Sequence, residues 1–229
     1  MHNIETKNPV GRPKTLDRAL LIDIAINEYW LHGINNVSLS KIANIAKVSR
    51  PGIYKEFSDE DGLKYEVITK YTDVLKTDVI PQYYKAKDVK TMYYHIYSTL
   101  GYPVDKKYFS GISKSKKVKK PIKAKGCLFE KSKLEKHKLN NKSINAIEAF
   151  EKIRKEAFMD FLKRMQKSNQ ITSSLKLDEV YDYFISQLSL AQSLDMNGSK
   201  KENIKRIIDT AFSSIVNPCL LYTSPSPRD

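Results

Sequence analysis

Residues 33–57 read GINNVSLSKIANIAKVSRPGIYKEF, and this stretch limits the fold more than any other. Ser38 is placed to cap a short helix running to Ala46, with Leu39, Ile42, Ala43 and Ile45/Ala46 at helical spacing. A tight turn at Lys47-Val48 follows. Ser49 is placed as a second cap, opening a second short helix through Tyr54. Two small helices joined by such a turn form a helix-turn-helix, whose second helix can lie in the major groove of DNA.

The surrounding residues extend the pattern. Gly11-Arg12-Pro13 ends a basic arm, and a helix through Ala25 and Tyr29 stops at Gly33. Ile42-Ala43 lies in the second helix, and Val48-Ser49-Arg50-Pro51-Gly52-Ile53-Tyr54-Lys55-Glu56-Phe57 forms the turn and third helix. In this order and spacing, Gly11 to about Tyr71 resembles the N-terminal domain of the TetR family of bacterial transcriptional regulators. The resemblance implies a homodimer that binds a palindromic operator in double-stranded DNA and answers to a small-molecule effector. Two positions depart from the family pattern. Lys47 stands where the family usually has glycine, and a positive φ there would cost a lysine about 1 kcal/mol. Ser58-Asp59-Glu60-Asp61 fills a helix start that often carries a phosphate-facing lysine; acidic residues suit a helix N-terminus but repel phosphate.

The chain has 229 residues and a formal net charge of +14, which favours a polyanionic partner. The charge is not concentrated in the helix-turn-helix. Residues 1–58 hold eight Lys/Arg and five Asp/Glu, whereas 106–125 hold nine lysines and no acid. No apolar run reaches the roughly 18–20 residues that cross a bilayer, and the first residues lack the apolar region of a signal peptide. A cytoplasmic protein without membrane association is expected. Cys127 and Cys219 have no metal-ligand spacing. Residues 219–229, CLLYTSPSPRD, resemble a translated transposon-type sequencing adapter and are set apart from the fold.

The apolar pattern predicts an all-α chain of about nine helices with no strand. A first helix runs from Thr15 or Asp17 to about His32, with Leu20, Leu21, Ile24, Ala25 and Tyr29 on one face. A fourth runs from near Asp59 towards Val79, where Pro81 stops it. Others are expected at 88–100, from Gly126-Cys127-Leu128-Phe129, at 143–167, at 177–196 and at 200–216. Gly101 to Lys125 reads as a charged loop. This divides the chain into a helix-turn-helix head at 1–58 and a helical effector and dimerisation domain at 59–218.

Within that scheme the DNA-binding candidates are Arg12, Lys14, Ser38, Ser49, Arg50, Pro51, Gly52, Tyr54 and Lys55. Arg50 and Lys55 can reach guanine edges or phosphate, Gly52 lets the backbone approach, and Arg12 and Lys14 can enter a minor groove. Tyr54 is a phosphate contact by the family resemblance. Tyr93, Tyr97, Phe129, Phe158, Phe161 and Tyr181 are candidates to line an effector pocket, although aromatics at this spacing also serve as core. The apolar rows Val180, Phe184, Leu188, Ala191 and Ile204, Ile208, Ala211, Ile215 are candidates for the dimer contact, a four-helix bundle with a second copy. Cys127, near a helix start, is a candidate redox thiol. No P-loop, nucleophile elbow, dinucleotide fingerprint or zinc-protease motif occurs, so neither enzyme activity nor a cofactor or metal is expected. The alternative is a sequence-indifferent nucleic-acid-binding protein that uses the lysine-rich 106–125 segment and has no effector.

Overall fold

The computed structural model describes residues 16–104, 120–121, 123–172, 174 and 176–217. Arg12, Lys14, Cys219, most of the lysine-rich segment and the adapter-like tail lie outside the described residues. The described chain forms ten α-helices and no named strand: α1 Arg18–His32, α2 Leu39–Ala46, α3 Arg50–Phe57, α4 Glu60–Asp78, α5 Ile80–Lys85, α6 Val89–Thr99, α7 Leu128–Leu134, α8 Asn141–Lys167, α9 Leu177–Met196 and α10 Lys201–Ser213. A single 3₁₀ turn, Lys136–Lys138, follows α7. One isolated antiparallel bridge joins Ile171 to Val216.

Local chemistry explains most boundaries. Asp17, Ser38, Ser49, Asp59, Asp88 and Asn140 each cap a helix through a side-chain oxygen that accepts a first-turn backbone N–H. Pro81 does not merely end a helix as expected. It lies in the first turn of α5, where its missing N–H breaks no bond, so the chain restarts rather than stopping. This short extra helix accounts for ten where nine were expected. The buried stripe of α1 also differs: Leu21, Ile22, Ala25, Ile26, Tyr29 and Trp30 face inward, while Leu20 is 53% exposed. Trp30 draws the stripe round, because its indole N–H donates to the Gly126 carbonyl at 3.1 Å.

One continuous apolar core runs from Leu21 to Ile215. α8 is its spine, packing against α4, α5 and α9, and α10 lies along α9. α7 sits between α1, α4 and α8. It is tied to α1 on one side, where Lys131 donates to the Trp30 carbonyl at 2.5 Å. On the other side Glu130 accepts from Arg154 of α8 at 2.7 Å and from Ser189 of α9 at 3.1 Å. Gly126 precedes α7 at φ 68, and a side chain there would run into Met196, so the close approach of this segment to α9 requires glycine.

His95 on α6 is buried, with no hydrogen-bond partner for either ring nitrogen among the described residues. Tyr83 packs edge-on against it at 5.8 Å. Desolvation lowers its pKa from 6.5 to about 4. The unfolded chain therefore binds this proton first, and stability is lost as pH falls from 6.5 towards 4. At 1.36 kcal/mol per pH unit the loss is roughly 3 kcal/mol. Replacing His95 with Leu is expected to flatten the acid limb of a urea-unfolding series run across that pH range.

Candidate nucleic-acid interface

The helix-turn-helix is built on three caps and a buried seam. Ser38 accepts the Lys41 N–H at 3.3 Å and starts α2; Ser49 accepts the Gly52 N–H at 3.2 Å and starts α3. Between them Lys47 takes the left-handed conformation, φ 54 and ψ 43, and its N–H closes the end of α2 on Ala43 and Asn44 carbonyls. Val48 packs against the core and pins the turn. Leu39, Ile42, Ala43, Ile53 and Phe57 are buried. α3 therefore turns Ile53 and Phe57 inward and leaves Ser49, Arg50, Pro51, Tyr54 and Lys55 exposed.

That outward face is organised. Arg50 Nη2 donates to the Tyr54 hydroxyl at 3.3 Å, and Tyr54 is 40% exposed. Gly52 is half-buried, and a Cβ there would lie a tight 3.2 Å from the Ser49 hydroxyl oxygen and 3.7 Å from Leu16. The rear of α3 is clamped by Arg18, which the sequence reading passed over. Its guanidinium pairs with Glu56 at 2.9 Å and with Glu66 at 2.9 Å, and sits 5.0 Å above the Phe57 ring. Arg18 thus joins α1, α3 and α4 at one point. Its signal in the sequence was weak, since Glu56 and Glu66 are 38 and 48 positions away.

The acidic start of α4 is partly neutralised from within. Lys64, only 7% exposed, pairs with Glu60 at 3.2 Å and Asp61 at 3.6 Å, and donates to Asn35 at 3.3 Å. Asn35 in turn donates to Glu135, just after α7, at 2.9 Å. The α1–α2 turn, the start of α4 and the end of α7 are thereby linked by hydrogen bonds.

The proposed effector residues are packed against one another. Tyr97, Phe129, Phe158, Phe161 and Tyr181 are buried. Phe129 meets Phe150 at 4.8 Å, Phe158 meets Phe184 at 5.1 Å, and Tyr93 meets Phe212 at 5.2 Å. Tyr93 donates to Asp209 at 2.8 Å, and Tyr97 donates to the same carboxylate. Burial and this bond push the Tyr93 phenol up to about 12. Tyr181 lines a cleft of about 530 Å³ shared with Lys133, Glu151, Lys152, Lys155 and Ile185.

The candidate dimer rows turn inward. Val180, Phe184, Ala191, Ile204, Ile208, Ala211 and Ile215 are buried inside the chain itself, and Leu188 is half-buried. A helical apolar stripe does not reveal whether its partner is the same chain or another, and here α9 and α10 spend it on each other and the core. The outer face of that pair carries Tyr183, Leu190, Gln187 and Ile207 instead. Cys127 is also recast. Desolvation raises its thiol pKa, and it contacts the Tyr71 hydroxyl at 3.4 Å. A raised pKa keeps it a thiol, the opposite of what a redox nucleophile needs.

Residues 21–66 match the family model described as "Bacterial regulatory proteins, tetR family". The N-terminal helices are thus similar to the DNA-binding region of the TetR family. The chain is also 34% identical over 67 residues to the HTH-type transcriptional repressor ComR of Escherichia coli (strain K12), a match covering 29% of this chain and 32% of ComR. The chain thus aligns with about a third of that relative's length. The fold extends further than the sequence likeness. A TetR family regulator from Agrobacterium tumefaciens superposes with a TM-score of 0.69 at 12% identity, covering 86% of this chain and 96% of that one. The TetR family regulator CifR, solved with 26 bp double-strand operator DNA, superposes at 0.64 and 16% identity, covering 89% and 99%. These relatives are described as transcriptional regulators. Among the described residues no cluster of His, Cys, Asp and Glu could hold a metal, and no helix is long and apolar enough to cross a membrane.

Because Ser49 both caps α3 and sets the direction in which its face points, Ser49→Ala is expected to lower stability by about 1 kcal/mol. Thermal unfolding followed by circular dichroism measures this directly.

Proposed function

We propose that this protein is a ligand-responsive transcriptional regulator, a repressor that binds a palindromic operator as a homodimer. The observation that carries this reading is the two-sided α3: Ile53 and Phe57 anchor it, and Arg50, Tyr54 and Lys55 are exposed on the opposite face. In a docked complex α3 enters the major groove and α2 crosses the backbone. Ser38, Ser49 and Tyr54 then meet phosphates, Gly52 allows close approach, and Arg50 and Lys55 reach base edges or phosphate. Arg12 and Lys14 would extend the contact from the basic arm.

The homodimer reading rests on α9 and α10. Their outer face holds Tyr183 at 38% exposure and Leu190 at 44%, beside a shallow groove of about 380 Å³ lined by Gln187, Asn203, Arg206, Ile207 and Thr210. A second copy laid on this face completes a four-helix bundle and sets two heads for successive major grooves.

The effector reading rests on α7. An effector that separates the Phe158, Phe161 and Tyr181 rings would disturb α8 and α9, and Glu130 ties both to α7. α7 in turn holds Trp30 and, through Glu135, Asn35. DNA affinity then changes only as far as the effector prefers one arrangement of these contacts.

Two measurements test the reading. A duplex selected by the protein from a randomised pool is expected to contain an inverted repeat, and Arg50→Ala to weaken binding to it by about 1–3 kcal/mol while relaxing preference at one position. Selection without any sequence preference would favour the alternative built on the lysine-rich segment. Leu190→Glu is expected to convert dimer to monomer in sedimentation velocity while leaving the helical content intact.

A further inference from the structure

The Lys47 backbone is out of place for a lysine. It is one of three non-glycine residues with positive φ among the described residues, and its φ 54, ψ 43 lie in the region that glycine or asparagine adopts most readily. Its side chain supplies nothing to the fold that would offset this strain. Lys47 is exposed, and no ion pair, hydrogen bond or ring contact engages its ammonium among the described residues. Three other cations near it are engaged within the protein: Lys41 pairs with Glu28 at 2.8 Å, Arg18 with Glu56 and Glu66, and Arg50 with Tyr54, whereas Lys55 on the α3 face shares with Lys47 the lack of a partner among the described residues. Strain held at an exposed turn, without a compensating contact in the protein, points to a contact outside it.

The position indicates which contact. Lys47 closes α2, the helix that crosses the sugar-phosphate backbone when α3 lies in the groove. It precedes the Ser49 cap by two residues, at most about 7 Å of chain. Val48 is held by the core, so the turn cannot swing its neighbour inward. A lysine here presents a point charge on a flexible stem, suited to phosphate rather than to reading a base edge.

We propose that Lys47 is a DNA-backbone contact, a sequence-independent cation placed in the turn of the helix-turn-helix by accepting a strained conformation. This rests on the DNA-binding reading above. Lys47→Asn and Lys47→Gly remove the charge while suiting the left-handed turn; Lys47→Arg keeps the charge. Binding to the selected duplex is measured between 50 and 200 mM salt by fluorescence anisotropy, the salts being chosen because counterion release is steep over that range. The neutral variants are expected to melt no lower than the parent, yet to bind more weakly on every sequence, with the salt slope smaller by about 0.9 per subunit. Lys47→Arg is expected to retain the parent slope. Lys167→Gln, which removes an exposed charge at the far end of α8, controls for net charge. Unchanged slopes in both neutral variants, or an equal fall in Lys167→Gln, would overturn the proposal. A parent that binds no duplex overturns the DNA-binding reading, and this inference with it.

Discussion

An eight-residue helix has no stability of its own in water, so α3 exists only because one side of it is buried. Ile53 and Phe57 fix that side in the core formed by α1, α2 and α4, and Arg18 fastens the far end through Glu56. Everything assigned to the exposed face depends on this anchoring. Arg50, Tyr54 and Lys55 form a usable surface because the helix beneath them cannot rotate without exposing Ile53 and Phe57. Exposing those two side chains would sacrifice several kcal/mol of apolar burial, since a fully buried side chain of this size contributes about 1.5–3 kcal/mol.

The same core continues without a break into the larger helical part. That continuity makes α7 more than a connector. Its seven residues touch α1 through Lys131, α8 and α9 through Glu130, and, by way of Glu135 beyond it, the α1–α2 turn through Asn35. The Glu130–Arg154 pair is almost fully buried, with side-chain exposures of 7% and 6%. Removing one partner of such a pair leaves a desolvated charge, so the two residues move together or not at all. A polar pair buried between helices that otherwise meet through apolar rings ties the position of α7 to that of α8.

Much of the head was legible in the sequence. Ser38, Ser49 and Asp17 advertise helix starts because a hydroxyl or carboxylate beside an apolar repeat has few other local uses. Gly33 marks the end of α1 for a similarly local reason. Lys47 was readable as a strained turn only through the family resemblance, because glycine usually stands at that position. The candidate site was legible as far as it is local: the exposed positions of α3 are those its inward residues do not occupy. Arg18 was not, because its partners are distant in the chain. Pro81 misled for the opposite reason, since its local meaning, an end or a beginning, depends on whether the preceding residue ends a helix.

The rows on α9 and α10 show where pattern runs out. Val180, Phe184, Ile204 and Ile208 repeat at helical spacing, and that period establishes a buried face without naming what buries it. Packing gave those faces to the chain's own core and left Tyr183 and Leu190 outside. The aromatic residues behave alike: sequence showed them recurring on helices, and tertiary structure closed Phe158 on Phe184 instead of opening a space between them. The sequence alone thus determined helices, caps, the charge distribution and the helix-turn-helix, because those follow from interactions within a few residues. Partner choice for each apolar face, the clamp on α3 and the burial of the Arg154 charge were decided only in three dimensions, where distant residues compete for the same space.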